Sequence, residues 1–486
     1  MNNQDKMPVV KALKEFVEKE PAYFCVPGHR FGKGVSEKWV SKDAREILRF
    51  DLTEATGLDD LHQPSGVIRE AQGLMSQLFH ARKSFFLVNG TTCGNQAMML
   101  STVNAGDKIL VPRNAHKSIL AGLVLSGATP VYVMPRWNEK WGIWGGVSPA
   151  EVEKILKEQR DIKGVFVVSP SYYGVVDKVA EISTICKKYN CLCMVDEAHG
   201  AHLYFAEDLP KGALTQGADM CVQSFHKVAG SLTQSSVLHV NSDKVNTSLL
   251  QNNLQMLQSS SPSYLLMASL DAARHELSQN GKEMCDKVLL LAQYARSEIS
   301  QIKGIRCMGK EEVGKYEIAD IDLTKVVITA MDLGISGFTL KEMLTRDYGV
   351  EVELADNHNI LAVLTFANSK AEVKRLVDAL AEIAKGSKVK DKVQSNEVAA
   401  WPAPEMKLTP REAQFSKVKI VAWQDAVGKV AAEEVTPYPP GIPIVNRGEL
   451  ISQEVWDCIE RLRRAGCHFH GALGKETKDE ISIVEC

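Results

Sequence analysis

Between about residues 70 and 245 the chain alternates short apolar runs with segments of helical periodicity, and no other feature narrows its possible folds as far. The runs are Phe85–Val88, Lys108–Val111, Thr129–Val133, Gly164–Val168, Leu192–Val195, Met220–Gln223 and Ser236–Val240. Their interiors are nearly all apolar instead of alternating with polar residues, the pattern of strands covered on both faces. Helical segments such as Ala150–Gln159 and Lys178–Tyr189 lie between them. The runs are therefore βα repeats, and they predict an α/β fold around a largely parallel sheet.

Outside this core, residues 1–20 predict a short helix with Val10, Leu13, Phe16 and Val17 at helical spacing, and 264–302 one long helix or two. A smaller α/β unit spans about 303–390, with strands near Lys325–Thr329 and Ile360–Thr365. Residues 386–410 turn polar and then proline-bearing, which reads as a linker. A last module, about 411–486, carries the turn-rich run Pro437-Tyr438-Pro439-Pro440-Gly441-Ile442-Pro443. Composition then excludes whole classes of function. With 57 basic against 60 acidic residues, net charge −3, there is no basic footprint for nucleic acid or anionic lipid. A hydrophobic content of 45% excludes general disorder. No apolar run approaches the roughly 20 residues of a membrane span, and the N-terminus lacks the apolar core of a signal peptide. Eleven cysteines, an odd number with many in apolar runs (Cys25, Cys191, Cys193, Cys221), predict reduced core thiols in a cytoplasmic enzyme and not a disulfide framework.

Four groups of polar residues fall at the C-terminal ends of the predicted strands, where open α/β sheets build their sites. Asn89-Gly90-Thr91-Thr92-Cys93-Gly94-Asn95 follows the first run and opens a helix. Hydroxyls and backbone N–H groups at a helix start can cradle a phosphate, although turns rich in Gly and Thr are common. Asp196-Glu197-Ala198-His199 ends the run Leu192–Val195. A carboxylate there needs a partner, ordinarily a salt bridge or a helix cap. The same four residue types occur in helicases, but no Gly-x-x-x-x-Gly-Lys-Ser/Thr loop precedes them here. Ser224-Phe225-His226-Lys227 follows Met220–Gln223, and a poorly solvated lysine loses its proton more easily and becomes an amine nucleophile. Arg113-Asn114-Ala115-His116-Lys117-Ser118 follows Lys108–Val111 and offers a histidine able to stack on a planar ring. A phosphate cradle, a ring-stacking histidine, a carboxylate for a pyridinium nitrogen and a Schiff-base lysine, in this order along the chain, are what pyridoxal 5′-phosphate requires.

These motifs, with Pro27-Gly28-His29, Asp59-Asp60-Leu61-His62 and Tyr438–Pro443, resemble the Orn/Lys/Arg decarboxylase family of fold-type I pyridoxal-phosphate enzymes over nearly the whole chain. The likeness is to the short form, without an N-terminal wing domain. It implies an aspartate aminotransferase-like large domain over 71–302, preceded by a helix and active-site loops over 1–70. A small α/β domain (303–390), a linker (391–410) and the family's C-terminal domain (411–486) follow. Carried over residue by residue, it makes Lys227 the Schiff-base lysine, sets Asp196 against the pyridine nitrogen and stacks His116 on the ring. Thr91, Thr92 and Ser224 would hold the phosphate, Ala198 would pack on the ring's other face, and His226 would deliver a proton to Cα. Ser260, in Ser259-Ser260-Ser261-Pro262, would reach the phosphate of the neighbouring subunit's cofactor, so a homodimer is the expected active unit. His29, Asp60 and His62 would line the mouth of the site. Cys93 in the cradle and Asp-Glu-Ala-His in place of the long enzymes' Asp-Ser-Ala-Trp are departures; the second matches the short form.

The expected reaction is decarboxylation of a basic amino acid. Arginine is favoured by the resemblance, with lysine and ornithine as alternatives. Glu351, Glu353, Asp356 and Glu434 are the acids able to read the substrate's distal cation, a bidentate carboxylate suiting arginine best. An α-oxoamine synthase shares the Asp-Glu-Ala-His strand end and is the more distant alternative, and a homologue that has lost catalysis would lack Lys227 or Asp196, which are both present. Cys191 and Cys193 read as core strand and not as a metal site. Trp137, Trp141 and Trp144 are expected near a subunit interface or the site's mouth.

Overall fold

The computed structural model describes residues 3–41, 43–387, 401–437, 441–464, 466–471 and 479–485. Tyr438, Pro439 and Pro440, and 388–400 of the expected linker, lie outside these. All seven apolar runs are strands: β1 (Lys83–Leu87), β2 (Lys108–Pro112), β3 (Thr129–Val133), β4 (Ile162–Val168), β5 (Leu192–Asp196), β6 (Met220–Gln223) and β7 (Ser236–Val240). The first four long helices are α1 (Pro8–Glu18), α2 (Val67–Leu78), α3 (Gly90–Thr102) and α4 (Lys117–Ser126). The chain divides into two compact units, 1–102 with 192–284, and 103–191 with 285–486.

In the first unit the strand order is β1-β7-β6-β5. β5 and β6 run parallel, with Asp196 opposite Val222, whereas β7 is antiparallel to both β6 and β1, with Leu87 opposite Ser236. The sequence predicted a largely parallel sheet, and β7 departs from it. The link from β6 to β7 holds one short helix, Phe225–Val228. Four helical residues rise only about 6 Å, too little to carry the chain back along the strands for a parallel re-entry. α3 leaves β1 directly and buries Met98 and Met99. A Cβ on Gly94 would stand 2.4 Å from a Val222 methyl and 2.9 Å from one of Leu87, so α3 lies against β6 and β1 with no room for a side chain there. α1 buries Val9, Leu13 and Val17. Its first turn is pinned by Asp271, which accepts from Val9 N at 2.9 Å and pairs with the fully buried Arg274.

In the second unit β2 pairs in parallel with β3 and with β4. A four-stranded antiparallel sheet takes the order Arg306–Cys307, Lys325–Thr329, Asn359–Val363, Leu354–Ala355. Helices Gly337–Tyr348 and Lys370–Lys385 contribute Leu340, Leu344 and Leu380 to its core. The C-terminal module pairs Val418–Ala422 with Glu480–Val484 and packs helix Gln453–Arg464 over Trp423, Ile451 and Ile481. Trp137 and Trp144 face each other across a short hairpin, and Trp141 is 1% exposed among Ile143, Tyr173 and Ile318. Trp141 therefore belongs to a core of this unit, where its indole fills space among apolar neighbours, and not to a mouth. Residues 264–300 form one helix, Tyr264–Ser300. The ten cysteines described are all free. Cys191, Cys193 and Cys221 are buried as expected, but Cys25 is exposed because its short run lies in a loop outside the strands. Among the described residues no helix is long and apolar enough to cross a membrane, and no cluster of His, Cys, Asp and Glu is arranged to hold a metal.

Candidate active site

Asp196 is the last residue of β5 and is 4% exposed. One carboxylate oxygen accepts from Asn95 Nδ2 at 2.8 Å, and the other accepts from Ala198 N at 3.2 Å. Asn95 comes from α3, one turn beyond Thr91 and on the same face of the helix. Thr91 Oγ1 lies 2.5 Å from Ser224 Oγ and 3.2 Å from Ser236 Oγ. Ser224 N donates to Ala198 O, and Lys227 N donates to Ser224 O. These bonds close a ring that runs from Asp196 through Asn95, α3, Thr91 and Ser224 back to Ala198, with Lys227 one turn from its edge. The start of α3 adds the positive end of a helix dipole beside three hydroxyls, a site that suits a phosphate. Thr92 is exposed at the same helix start. Cys93 is buried there, its thiol donates to Gly90 O, and burial pushes its pKa up to about 12, so it stays a neutral packing group.

Lys227 Nζ lies 2.9 Å from His199 Nε2. Sequence reasoning reached His199 only as part of Asp-Glu-Ala-His and gave it no role, nor did it nominate Ser236. His226 Nδ1 donates to Ser235 O at 2.9 Å. Burial lowers the pKa of its imidazole, and the neighbouring Lys227 lowers it further, so the ring is neutral near pH 7. Ala198 is half-buried. Behind Asp196, the 1%-exposed Glu197 accepts from Tyr204 Oη, Ala213 N and Gln223 Nε2, and burial raises its pKa to about 7.

The remaining nominated residues are placed as follows. His116, in the second unit, is exposed at the N-cap of α4, and its Nδ1 accepts from Ser118 N at 3.2 Å. In the first unit His29 accepts from Gly32 N and bonds Asp51 at 3.1 Å, Asp60 accepts from His62 N, and His62 Nε2 donates to Ser259 O at 2.8 Å. His62 is thereby brought to the segment of the exposed Ser260. Of the acids, Glu351 and Glu353 are exposed, Glu353 accepting from Tyr172 Oη at 2.7 Å. Asp356 accepts from Tyr173 Oη, His358 N and Asn359 N, which occupies it in holding its own turn. Glu434 is held in a two-point pair by Arg447, at 2.8 and 3.1 Å. A buried carboxylate, a hydroxyl-rich helix start and a lysine amine bonded to a histidine, gathered at strand ends, offer a counter-charge for a protonated ring nitrogen, donors for a phosphate and an amine nucleophile.

The chain is similar to known proteins over nearly its whole length. The profile of the Orn/Lys/Arg decarboxylase major domain matches residues 7–372, and that of the family's C-terminal domain matches 391–474. An arginine decarboxylase of Halalkalibacterium halodurans is 39% identical over 472 residues, covering 97% of this chain and 96% of its own. One from Bacillus anthracis is 38% identical over 470 residues, 96% and 95% of the two chains. The lysine decarboxylase of Francisella novicida, 21% identical, superposes with a TM-score of 0.86 over 100% of this chain and 82% of its own. The fold is thus that of the fold-type I pyridoxal-phosphate enzymes.

Proposed function

The chain belongs to the Orn/Lys/Arg decarboxylase family, and from that premise we propose that it removes the α-carboxylate of a basic L-amino acid, arginine giving agmatine and CO₂, with pyridoxal 5′-phosphate as cofactor. The observation that carries this reading is the ring of hydrogen bonds joining Asp196, Asn95, Thr91, Ser224 and Ala198 beside Lys227. These residues fit the cofactor: hydroxyls of Thr91, Ser224 and Ser236 meet at a helix start, and a buried carboxylate has its orientation fixed by two donors. When bound, pyridoxal phosphate supplies an electron sink for the pair left on Cα as CO₂ departs.

The side chains then divide the work. Asp196 would hold a proton on the ring nitrogen, and Thr91, Thr92 and Ser224 would hold the phosphate. Lys227 would hold the cofactor through its amine, and His199, 2.9 Å from that amine, is placed to accept or return its proton. The family resemblance implies that Ala198 would pack on one face of the ring and that His116 would stack on it. His226, neutral near pH 7 with Nδ1 committed to Ser235 O, has its other nitrogen for carrying a proton to Cα. Interactions speed the step only where they tighten in its transition state, so an apolar surround for the departing carboxylate serves better than an arginine clamp. For the distal cation we propose Glu351 and Glu353, both exposed, with Glu353 holding a single bond to Tyr172, over Asp356 and Glu434, each held by two or more bonds. His29, Asp60 and His62 line the mouth, and Ser260 completes the site of a second subunit in a homodimer. The domain limits expected from sequence are retained as part of this proposal, as is a reducing, cytoplasmic setting for the free thiols.

The decisive assay measures amine formed from arginine, lysine and ornithine separately, with pyridoxal phosphate present and Lys227→Ala as control. Agmatine as the dominant product, abolished in the control, is the expected result. Cadaverine or putrescine would keep the chemistry and change the substrate. No amine from any of the three, with acyl-CoA-dependent product instead, would move the assignment to an α-oxoamine synthase.

A further inference from the structure

A cavity of about 610 Å³ opens in the first unit between α2, the start of β1 and the helix Thr247–Leu257. It shares no residue with the ring of bonds around Asp196. One wall is a face of α2, on which Arg69, Gln72, Gly73 and Ser76 stand at i, i+3, i+4 and i+7. Arg82 and Lys83 enter at the start of β1. Three cations therefore line the cavity, and among the described residues no Asp or Glu does. In a chain of net charge −3 this is a local reversal of sign.

Arg82 is neutralised by Asp243, whereas Arg69 and Lys83 have no carboxylate partner among the described residues. The Lys83 amine lies 4.6 Å from the centroid of the Phe85 ring, and burial, then the charge of Arg69, hold it below the usual lysine pKa. Two cations thus repel across one cavity, a strain that an anion between them would relieve. Gln72 adds a donor. Its side chain is 7% exposed and its Oε1 accepts from Phe86 N at 2.8 Å. That leaves Nε2, with no partner among the described residues, to donate into the cavity that Gln72 lines. Gly73 is a separate sign. Glycine inside a helix costs about 1 kcal/mol relative to alanine, yet a Cβ on Gly73 would meet nothing within 4 Å. No packing requires the glycine, and the space a side chain would take belongs to the cavity. The rim is pinned, since His62 Nε2 donates to Ser259 O and Gln251 Nε2 donates to His62 O at 3.3 Å. A pocket of this volume takes a molecule larger than a single phosphate.

We propose that this cavity binds a small polyanion, one molecule carrying two or more phosphate or carboxylate groups, with Arg69, Lys83 and the Gln72 amide as its donors. A guanidinium fork and an ammonium suit the oxygens of either group. Calorimetric titration of holoenzyme freed of excess cofactor tests the site, with pyrophosphate and citrate as separate probes. Bound cofactor keeps the proposed phosphate cradle from taking either probe. At least one of them is expected to bind, at one molecule per chain. Pyrophosphate alone would mark a phosphorylated ligand, and citrate alone a polycarboxylate. Arg69→Gln and Lys83→Gln are each expected to weaken binding about tenfold. Gly73→Met, which fills the cavity, is expected to abolish binding while Tm holds or rises. Binding of neither probe, or an affinity that none of the three substitutions changes, would overturn the proposal. So would losses of affinity seen only where Tm has also fallen. The amine assay stands apart from this test, and its failure would leave the charge and room of the cavity as they are.

Discussion

Asp196 owes its orientation to one side chain and one backbone N–H, and the side chain, Asn95, is fully buried. Removing the amide leaves a carboxylate short of a donor in a place where water does not replace it. Asn95→Ala is therefore expected to weaken pyridoxal-phosphate binding about five- to tenfold, from the loss of about 1 kcal/mol or slightly more. Asn95→Asp should be worse than Ala, because a second carboxylate within 3 Å of Asp196 would raise the proton affinity of the pair and remove the charge the ring nitrogen needs. Titration of apoenzyme with the cofactor measures both. Equal affinities for wild type and Asn95→Ala would mean that the Ala198 N–H alone aligns Asp196. Asn95 was legible as a residue of the cradle, and its spacing of four from Thr91 put both on one helix face. Its partner was not, because the register of α3 over β5 is set by packing that no local pattern encodes. The same holds for Ser236, whose place beside Thr91 follows from β7 folding back antiparallel.

α3 both carries the proposed phosphate end of the site and closes the sheet face beneath it, and Gly94 makes the two compatible. A methyl added there would overlap Val222 on β6 and Leu87 on β1. Gly94→Ala is expected to lower stability by about 1–3 kcal/mol, the usual cost of overpacking, and to weaken cofactor binding as Thr91 and Asn95 move outward together. Val222→Ala combined with it should restore both in part, since it removes the methyl that Gly94→Ala would strike at 2.4 Å while the Leu87 contact at 2.9 Å remains. Denaturant unfolding of the two singles and the double decides the matter: additive losses would show that α3 does not shift as a unit. At this scale the sequence was most informative. A run such as Met220–Gln223 is wholly buried, and an apolar run bounded by polar residues has few other fates in a βα repeat. What such runs do not state is strand direction, which depended on the length of the helix in the link after β6. Nor did the tryptophans near 140 declare that Trp141 was core, since a hairpin that short has no periodicity to read.

At the scale of the whole molecule, the first unit leaves large apolar side chains in water: Phe24 at 88% exposure, Trp39 at 73%, Met256 at 72% and Val26 at 63%. Single exposed hydrophobics are ordinary, and a second chain in the proposed homodimer is what would cover these. Met256 lies in the last turn of the helix Thr247–Leu257 that leads into Ser259–Ser261, the segment proposed to complete a neighbour's phosphate site. If each site draws its lysine from one chain and Ser260 from the other, two different inactive chains should make an active dimer. Lys227→Ala removes the amine, and Ser260→Glu sets a negative charge where the partner's phosphate would lie. Each variant alone is expected to be inactive. Co-expressed and assorting at random, half of the dimers would be mixed, and each mixed dimer holds one site with both an intact Lys227 and an intact Ser260. The mixture should then recover about a quarter of wild-type activity, an outcome that requires a shared site in a two-fold dimer. A Ser260→Glu chain that is fully active by itself, or a co-expressed mixture as inactive as its parents while light scattering shows mixed dimers, would place the whole phosphate site within one chain.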